Sequence, residues 1–166
     1  GSGLKVCEIQ QNSDLTYRFW DFNRPGADGK PRQLHIDEGA TVTHGARWAG
    51  NAPSLMLESE DLDRRLLAAC PYFAAELLTW STEVAFRADV DRFLILAILD
   101  GEGTVNGEPY RPGTTFLIPA HAGAFAVLPS APTRAVCAYE PDLVALRLGL
   151  EQAGASPEAI RRIVHG

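Results

Sequence analysis

Charged side chains interrupt an apolar, strand-patterned stretch near the amino terminus: Glu8, Asp14, Arg18 and Asp21, after Lys5, stand among Leu4, Val6, Ile9, Tyr17, Phe19, Trp20 and Phe22. A carboxylate and a guanidinium set among strand residues are costly if buried and unpaired, so these types at this spacing point to an ion pair. Taken alone, they describe a structural pair closing a sheet edge. Metal chemistry has less support. The four histidines, His35, His44, His121 and His165, are nowhere paired at ligand spacing. His121 directly follows Pro119-Ala120, has no partner histidine in its segment, and reads as a rim or core residue. Cys7, Cys70 and Cys137 are an odd set at wide spacing with no CxxC pair; they read as reduced thiols packed in a core.

The 166 residues are close to one ordinary domain. A domain of that size buries about 70% of its unfolded surface, enough to fold without disulfides or a structural metal. A composition of 46% hydrophobic and 22% charged residues, with mean hydropathy −0.07, describes a soluble globular chain. No apolar stretch approaches the ~18 residues that span a bilayer, and no signal-peptide pattern opens the chain; the expectation of a cytoplasmic protein comes from the cysteines read as reduced thiols. Fifteen Lys and Arg against 21 Asp and Glu give a net charge of −6. That balance argues against nucleic acid or an anionic membrane as main partner, while leaving room for a small phosphate held by local cations.

Residues 4–22 predict two strands meeting at the turn Asn12-Ser13-Asp14, followed by a loop from Arg24 to Gly29. Over 34–43 a short helix broken at Gly39 is expected, then an irregular connector that enters a strand at Leu55-Met56-Leu57. Glu58 to Arg65 reads as a solvated face with one helical turn, paired weakly through Asp61/Arg64 and Asp61/Arg65. Strand character returns over 72–86, and the run from Phe93 to Leu99 is a buried strand closed by Asp100-Gly101. Asn106-Gly107 predicts a two-residue hairpin, Pro112-Gly113 the next turn, and 116–118, 123–128 and 135–139 further strands. Beyond Pro141, Leu143, Leu146, Leu150 and Ala153 recur at helical spacing, and Ser156-Pro157 starts another helix. The tail is therefore two short helices broken at Gly154.

The order over residues 93–128 (apolar strand, Gly-Glu-Gly turn, Asn-Gly hairpin, Pro-Gly turn, strand) resembles the cupin family. That family's second motif has the form G-x5-P-x-G; Gly107 and Pro112-Gly113-Thr114 nearly match it, with the proline one place early and Thr114 where Asp is common. The resemblance implies a mainly β fold: a cupin-like antiparallel β-barrel, or jelly roll, with short C-terminal helices. The positions at which cupins carry metal ligands hold Phe86, Arg87, Ala88 and Asp89 before the turn and Ala124-Phe125 after it. This barrel is therefore expected to hold no metal.

Glu8-Ile9-Gln10-Gln11-Asn12-Ser13-Asp14, followed by Thr16-Tyr17-Arg18 and Asp21, resembles the closing segment of the catalytic barrel in bacterial type I mannose-6-phosphate isomerases. Gly29-Lys30-Pro31-Arg32 to Leu34-His35 continues the resemblance. Cys70-Pro71-Tyr72-Phe73, Gly101-Glu102-Gly103 and Phe116-Leu117-Ile118-Pro119 resemble that family's second, cupin-like domain, so the match runs over about residues 4–140. It implies an aldose–ketose isomerase that interconverts mannose 6-phosphate and fructose 6-phosphate through a cis-enediol with bound Zn²⁺. Such a reaction needs a base within reach of the moving proton and stabilisation of oxyanion charge. Carried over by resemblance, Glu8 is the site acid/base, Arg18 stabilises the enediol, and Asp14 orients Arg18. The family's metal ligands fall upstream of Glu8, so zinc is implied for the full-length family while this chain supplies none of its ligands.

The resemblance divides the chain into closing strands of the catalytic barrel (1–24), a linker with a short helix (25–54), a cupin-like barrel (55–141) and a helical tail (142–166). The expected protein is the C-terminal part of an isomerase, inactive alone, whose partners are a sugar phosphate and the missing N-terminal catalytic region. Two readings compete with it. One is a stand-alone, metal-free cupin module that binds a sugar, sugar phosphate or protein partner. The other is a packing and homodimerisation domain in which residues 4–22 seek strand pairing.

Overall fold

The computed structural model describes residues 3, 6–10, 12–13, 15–43, 45, 53–57 and 59–166. The chain forms two units: Gln10–Asn51, and Gly1–Ile9 together with Ala52–Gly166.

In the larger unit, alternating apolar residues and turn glycines yield two antiparallel sheets. One has the order β1 (Leu55–Leu57), β2 (Asp63–Cys70), β3 (Phe73–Trp80), β10 (Thr133–Tyr139), β5 (Leu94–Asp100) and β8 (Thr115–Ile118). The other has the order β4 (Val84–Arg87), β9 (Ala124–Pro129), β6 (Gly103–Val105) and β7 (Glu108–Tyr110). Leu78, Trp80, Leu96, Ile98 and Ala135 of the first sheet pack with Val84, Val105, Phe125 and Val127 of the second in one buried cluster. Phe86 stacks on Phe125 with ring centroids 5.2 Å apart. The mainly β expectation holds, but the sheets are a facing pair and do not close into a barrel.

Turn chemistry sets the corners. Asn106 (φ 48°) and Gly107 (φ 87°) both take the left-handed conformation that a two-residue hairpin between β6 and β7 requires. Gly101 (φ 92°) turns β5 into β6, where a Cβ would stand 2.6 Å from the Pro132 carbonyl oxygen. The expected helical turn before Leu66 is instead the start of β2. There the ladder to β3 pairs Arg64 with Leu78 and Leu66 with Glu76, outweighing the weak local Asp61 pairs.

Helices α2 (Leu143–Gln152) and α3 (Pro157–Arg161) form as expected. The Asp142 carboxylate accepts from the Val144 and Ala145 N–H groups at 3.0 Å, and Ser156 Oγ accepts from the Ala159 N–H at 3.2 Å. Leu150, Ile160, Ile163 and Val164 then form a second core with Leu66, Ala69 and Ala74 of the six-stranded sheet. Backbone bonds Ala69 N–H to Ile163 O and His165 N–H to Ala69 O, each 2.8 Å, fix the tail to β2.

In the smaller unit, α1 (Ile36–Val42) runs through Gly39 without a break. Gly39 is buried because the Phe19 ring lies on it: a Cβ there would stand 2.6 Å from Phe19 Cζ. The glycine permits close approach and does not end the helix. The two strands expected over 4–22 are absent among the described residues there. Extended segments become strands only when a neighbouring strand takes their N–H and C=O groups, and the described part of this unit offers only the bridge Pro25↔Pro31. Its large apolar side chains stay outside, with Leu15 76%, Trp20 62%, Phe22 75% and Val42 60% exposed. Among the described residues, no helix is long and apolar enough to cross a membrane.

Candidate functional site

Asp21 organises the smaller unit. Its carboxylate is buried, and guanidinium groups reach it from both sides along the chain. Arg32 donates from Nε to Oδ2 at 2.6 Å and from Nη2 to Oδ1; Arg24 donates from Nη2 to Oδ1 at 2.7 Å. Arg18 Nε lies 3.9 Å from Oδ1. The hydrogen bond from Arg32, opposed by burial and helped by Arg24, lowers the Asp21 carboxyl from 3.8 to about 2. The same bond raises Arg32 above its ordinary value. Three guanidiniums around one carboxylate leave excess positive charge, a setting suited to an anion.

Arg18 is held at its backbone as well. Its N–H donates to His35 Nδ1 at 3.2 Å, its carbonyl accepts from the His35 N–H at 2.8 Å, and its Nη1 donates to the Gln33 carbonyl at 3.2 Å. The ring of Tyr17 meets His35 edge-on at 6.3 Å. Accepting at Nδ1 leaves the proton of neutral His35 on Nε2. Arg18 is thus a restrained, half-buried cation. The sequence named Asp14 as its orienting partner; Asp14 lies outside the described residues, and the carboxylate found beside Arg18 is Asp21.

Glu8 is exposed and belongs to the larger unit, whereas Arg18 belongs to the smaller one. Cys7, expected in a core, is exposed; with Val6 it borders a hollow of about 670 Å³ that also carries Asp100 and Arg134. Its segment, residues 6–10, forms no strand that would turn the thiol inward. Cys137 is buried as expected and Cys70 is partly buried.

Zinc, implied by the resemblance, finds no fit among the described residues. His35 Nδ1 is engaged by Arg18, His121 and His165 are exposed, and no group of three His, Cys, Asp or Glu could hold a metal ion. His44 lies outside the described residues.

Sequence reasoning passed over a second polar cluster. Glu76, a β3 residue only 1% exposed, accepts from Arg64 Nε at 3.0 Å and Nη2 at 2.8 Å, and from the Tyr139 hydroxyl. Burial first, and then the Glu76 carboxylate, push the Tyr139 phenol well above its ordinary value and the Cys137 thiol up to about 12. The available signal was a lone carboxylate at a core-facing position of an otherwise apolar strand.

Two facing antiparallel sheets with short helices at one end define a cupin-type jelly roll. By sequence, the chain is a relative of the mannose-6-phosphate isomerases. It is 32% identical over 129 residues to mannose-6-phosphate isomerase ManA of Bacillus subtilis, a match covering 75% of this chain and 41% of that protein. It is also 32% identical over 123 residues to mannose-6-phosphate isomerase of Streptococcus mutans, covering 72% of this chain and 38% of that one. The crystal structure of the Bacillus subtilis mannose 6-phosphate isomerase shares the fold, with TM-score 0.59 and 24% identity over 79% of this chain and 42% of that chain. This chain therefore spans well under half the length of the curated relatives it matches. No family model matches it.

Proposed function

We propose that this chain is the C-terminal part of a cytoplasmic mannose-6-phosphate isomerase and is inactive on its own. The observation that carries this reading is the 32% identity to two such isomerases over about three quarters of the chain. The Asp21 cluster adds support, since restrained guanidiniums in excess over their carboxylate suit a sugar phosphate.

In the proposed reaction, mannose 6-phosphate and fructose 6-phosphate interconvert through the enediol as one proton moves between C2 and C1 and the hydroxyl proton moves between O2 and O1. Glu8 accepts and returns the carbon-bound proton, and Arg18 stabilises the oxyanion of the enediol, each needing about hydrogen-bond reach. Asp21 orients Arg18 and takes no part in the proton transfer. Zinc ligation and the rest of the substrate pocket come from a polypeptide equivalent to the relatives' unmatched portion.

The test is a chimera in which this chain replaces its matching segment in the Bacillus subtilis relative. The isolated chain is expected to show no isomerisation of mannose 6-phosphate, and the chimera to show turnover. Arg18→Ala in the chimera is expected to lower kcat by roughly 10²–10³-fold, the usual cost of losing one oxyanion donor. Turnover by the isolated chain above a no-enzyme control, or an inactive chimera with native melting and zinc content, overturns the reading.

A further inference from the structure

The Arg64–Glu76–Tyr139 cluster lies far in sequence from Glu8 and Arg18, and the isomerase reading makes no use of it. Register fixes which way it faces. Arg64 pairs with Leu78, Glu76 with Cys137 and Ala74 with Tyr139, so all three side chains share the sheet face that carries core residues Leu78 and Leu96. At the end where α2 covers this face, they line a cavity of about 340 Å³ together with Leu146, Gly149 and Gln152 of the helix.

We propose that this cavity is a binding site for a neutral, polyhydroxylated small molecule of monosaccharide size. A buried carboxylate held by a half-exposed arginine is a weak source of stability compared with an apolar filling, and the surrounding Leu66, Ala74 and Leu78 show that apolar filling is available here. Arg64 and Glu76 cancel in charge, so the site favours neither an anion nor a cation. Its hydrogen-bonding groups are mixed. Arg64 engages Glu76 through Nε and Nη2, and its Nη1 has no protein partner among the described residues. The Tyr139 oxygen, donating to Glu76, keeps acceptor capacity, and the exposed Gln152 amide both donates and accepts. A ligand bearing several hydroxyls uses all of these, with Leu57 and Leu146 as apolar walls. The volume falls at the small end of ligand sites, about 300–1,000 Å³. A Cβ built at exposed Gly149 meets nothing within 4 Å, so the cavity opens to solvent on that side.

The test uses the chain as it stands, with amide NMR spectra recorded during titration with D-mannose, D-fructose or myo-inositol, and separately with inorganic phosphate. At least one of the neutral compounds is expected to move the amide signals of Gly149, Gln152 and Ala153, saturating in the millimolar range, while phosphate leaves them in place. Gly149→Leu closes the opening with a better helix former, and Gln152→Ala removes one polar partner at an exposed position. Each is expected to weaken binding by about tenfold or more without loss of the folded spectrum, whereas Arg18→Ala leaves it unchanged. Absence of a saturable shift with all three compounds, an equal response to phosphate, or undiminished binding in both cavity variants overturns the proposal.

Discussion

Arg32 clamps Asp21 at two points, with Nε on Oδ2 at 2.6 Å and Nη2 on Oδ1, inside a unit whose described residues bury no large apolar side chain. Charge and backbone bonding therefore carry much of that unit's order. Asp21→Asn keeps the shape but leaves Arg18, Arg24 and Arg32 without their common counter-charge. The His35 amide, bonded to the Arg18 carbonyl, is expected to exchange with solvent faster in this variant, while β10 amides keep their protection. Unchanged protection at His35 refutes the assignment.

Acid should act through the same group. The Asp21 carboxyl is lowered from 3.8 to about 2, first by the Arg32 hydrogen bond. A depressed folded-state value means that the stabilisation is complete above the unfolded value and is lost as pH falls toward the folded one. The smaller unit is thus indifferent to this group from neutral pH to about 4 and loosens between about 4 and 2. The Asp21 carboxyl carbon resonance should titrate with a midpoint near 2; a midpoint near 4 means the clamp is open in solution.

Gly39→Ala tests the Phe19 contact. The new methyl meets the ring at 2.6 Å, and overpacking of this kind costs about 1–3 kcal/mol. Loss of the α1 amide signals at lower urea than in the parent measures it. Adding Phe19→Ala should restore α1, since it removes the obstruction.

Two glycines with similar φ should respond differently to alanine. At Gly107 a Cβ meets nothing within 4 Å, so only the left-handed backbone penalty applies, about 1–2 kcal/mol. At Gly101 the same substituent also collides with the Pro132 carbonyl and with Thr133, raising the cost to about 2–5 kcal/mol. Urea unfolding of the two variants ranks them, and equal midpoints contradict the geometry.

Thiol reactivity separates the exposed from the buried cysteine. Burial, reinforced by the Glu76 carboxylate and opposed by Arg64, pushes Cys137 up to about 12, and the side chain is covered. Iodoacetamide at pH 8 is expected to label Cys7 in the folded chain and to reach Cys137 only after unfolding, as read by mass spectrometry of peptides. Labelling of Cys137 at the rate of Cys7 would show that the core opens.

The elements set by local chemistry were legible in the residues alone. Asn106-Gly107 dictates a hairpin because two consecutive residues must take positive φ, and Ser156-Pro157 starts α3 because a hydroxyl caps the N–H groups that proline does not need. The kinship with isomerases was equally legible, since it rests on contiguous motifs, and so was Arg18 as a residue of interest. Tertiary structure decided what depends on distant partners. Residues 15–22 carry strand-forming side chains yet form no strand, because a strand exists only where another offers its ladder. Among the described residues, the carboxylate beside Arg18 is Asp21, on which Arg24 and Arg32 also converge across a turn. Glu76 is a lone carboxylate in a largely apolar strand. It became the centre of a buried cluster only when β2 on one side and β10 on the other, 63 residues away at Tyr139, brought Arg64 and a hydroxyl to the same face. A charge is tolerated in a core when its compensation arrives through space, and the order of residues along the chain does not carry that information.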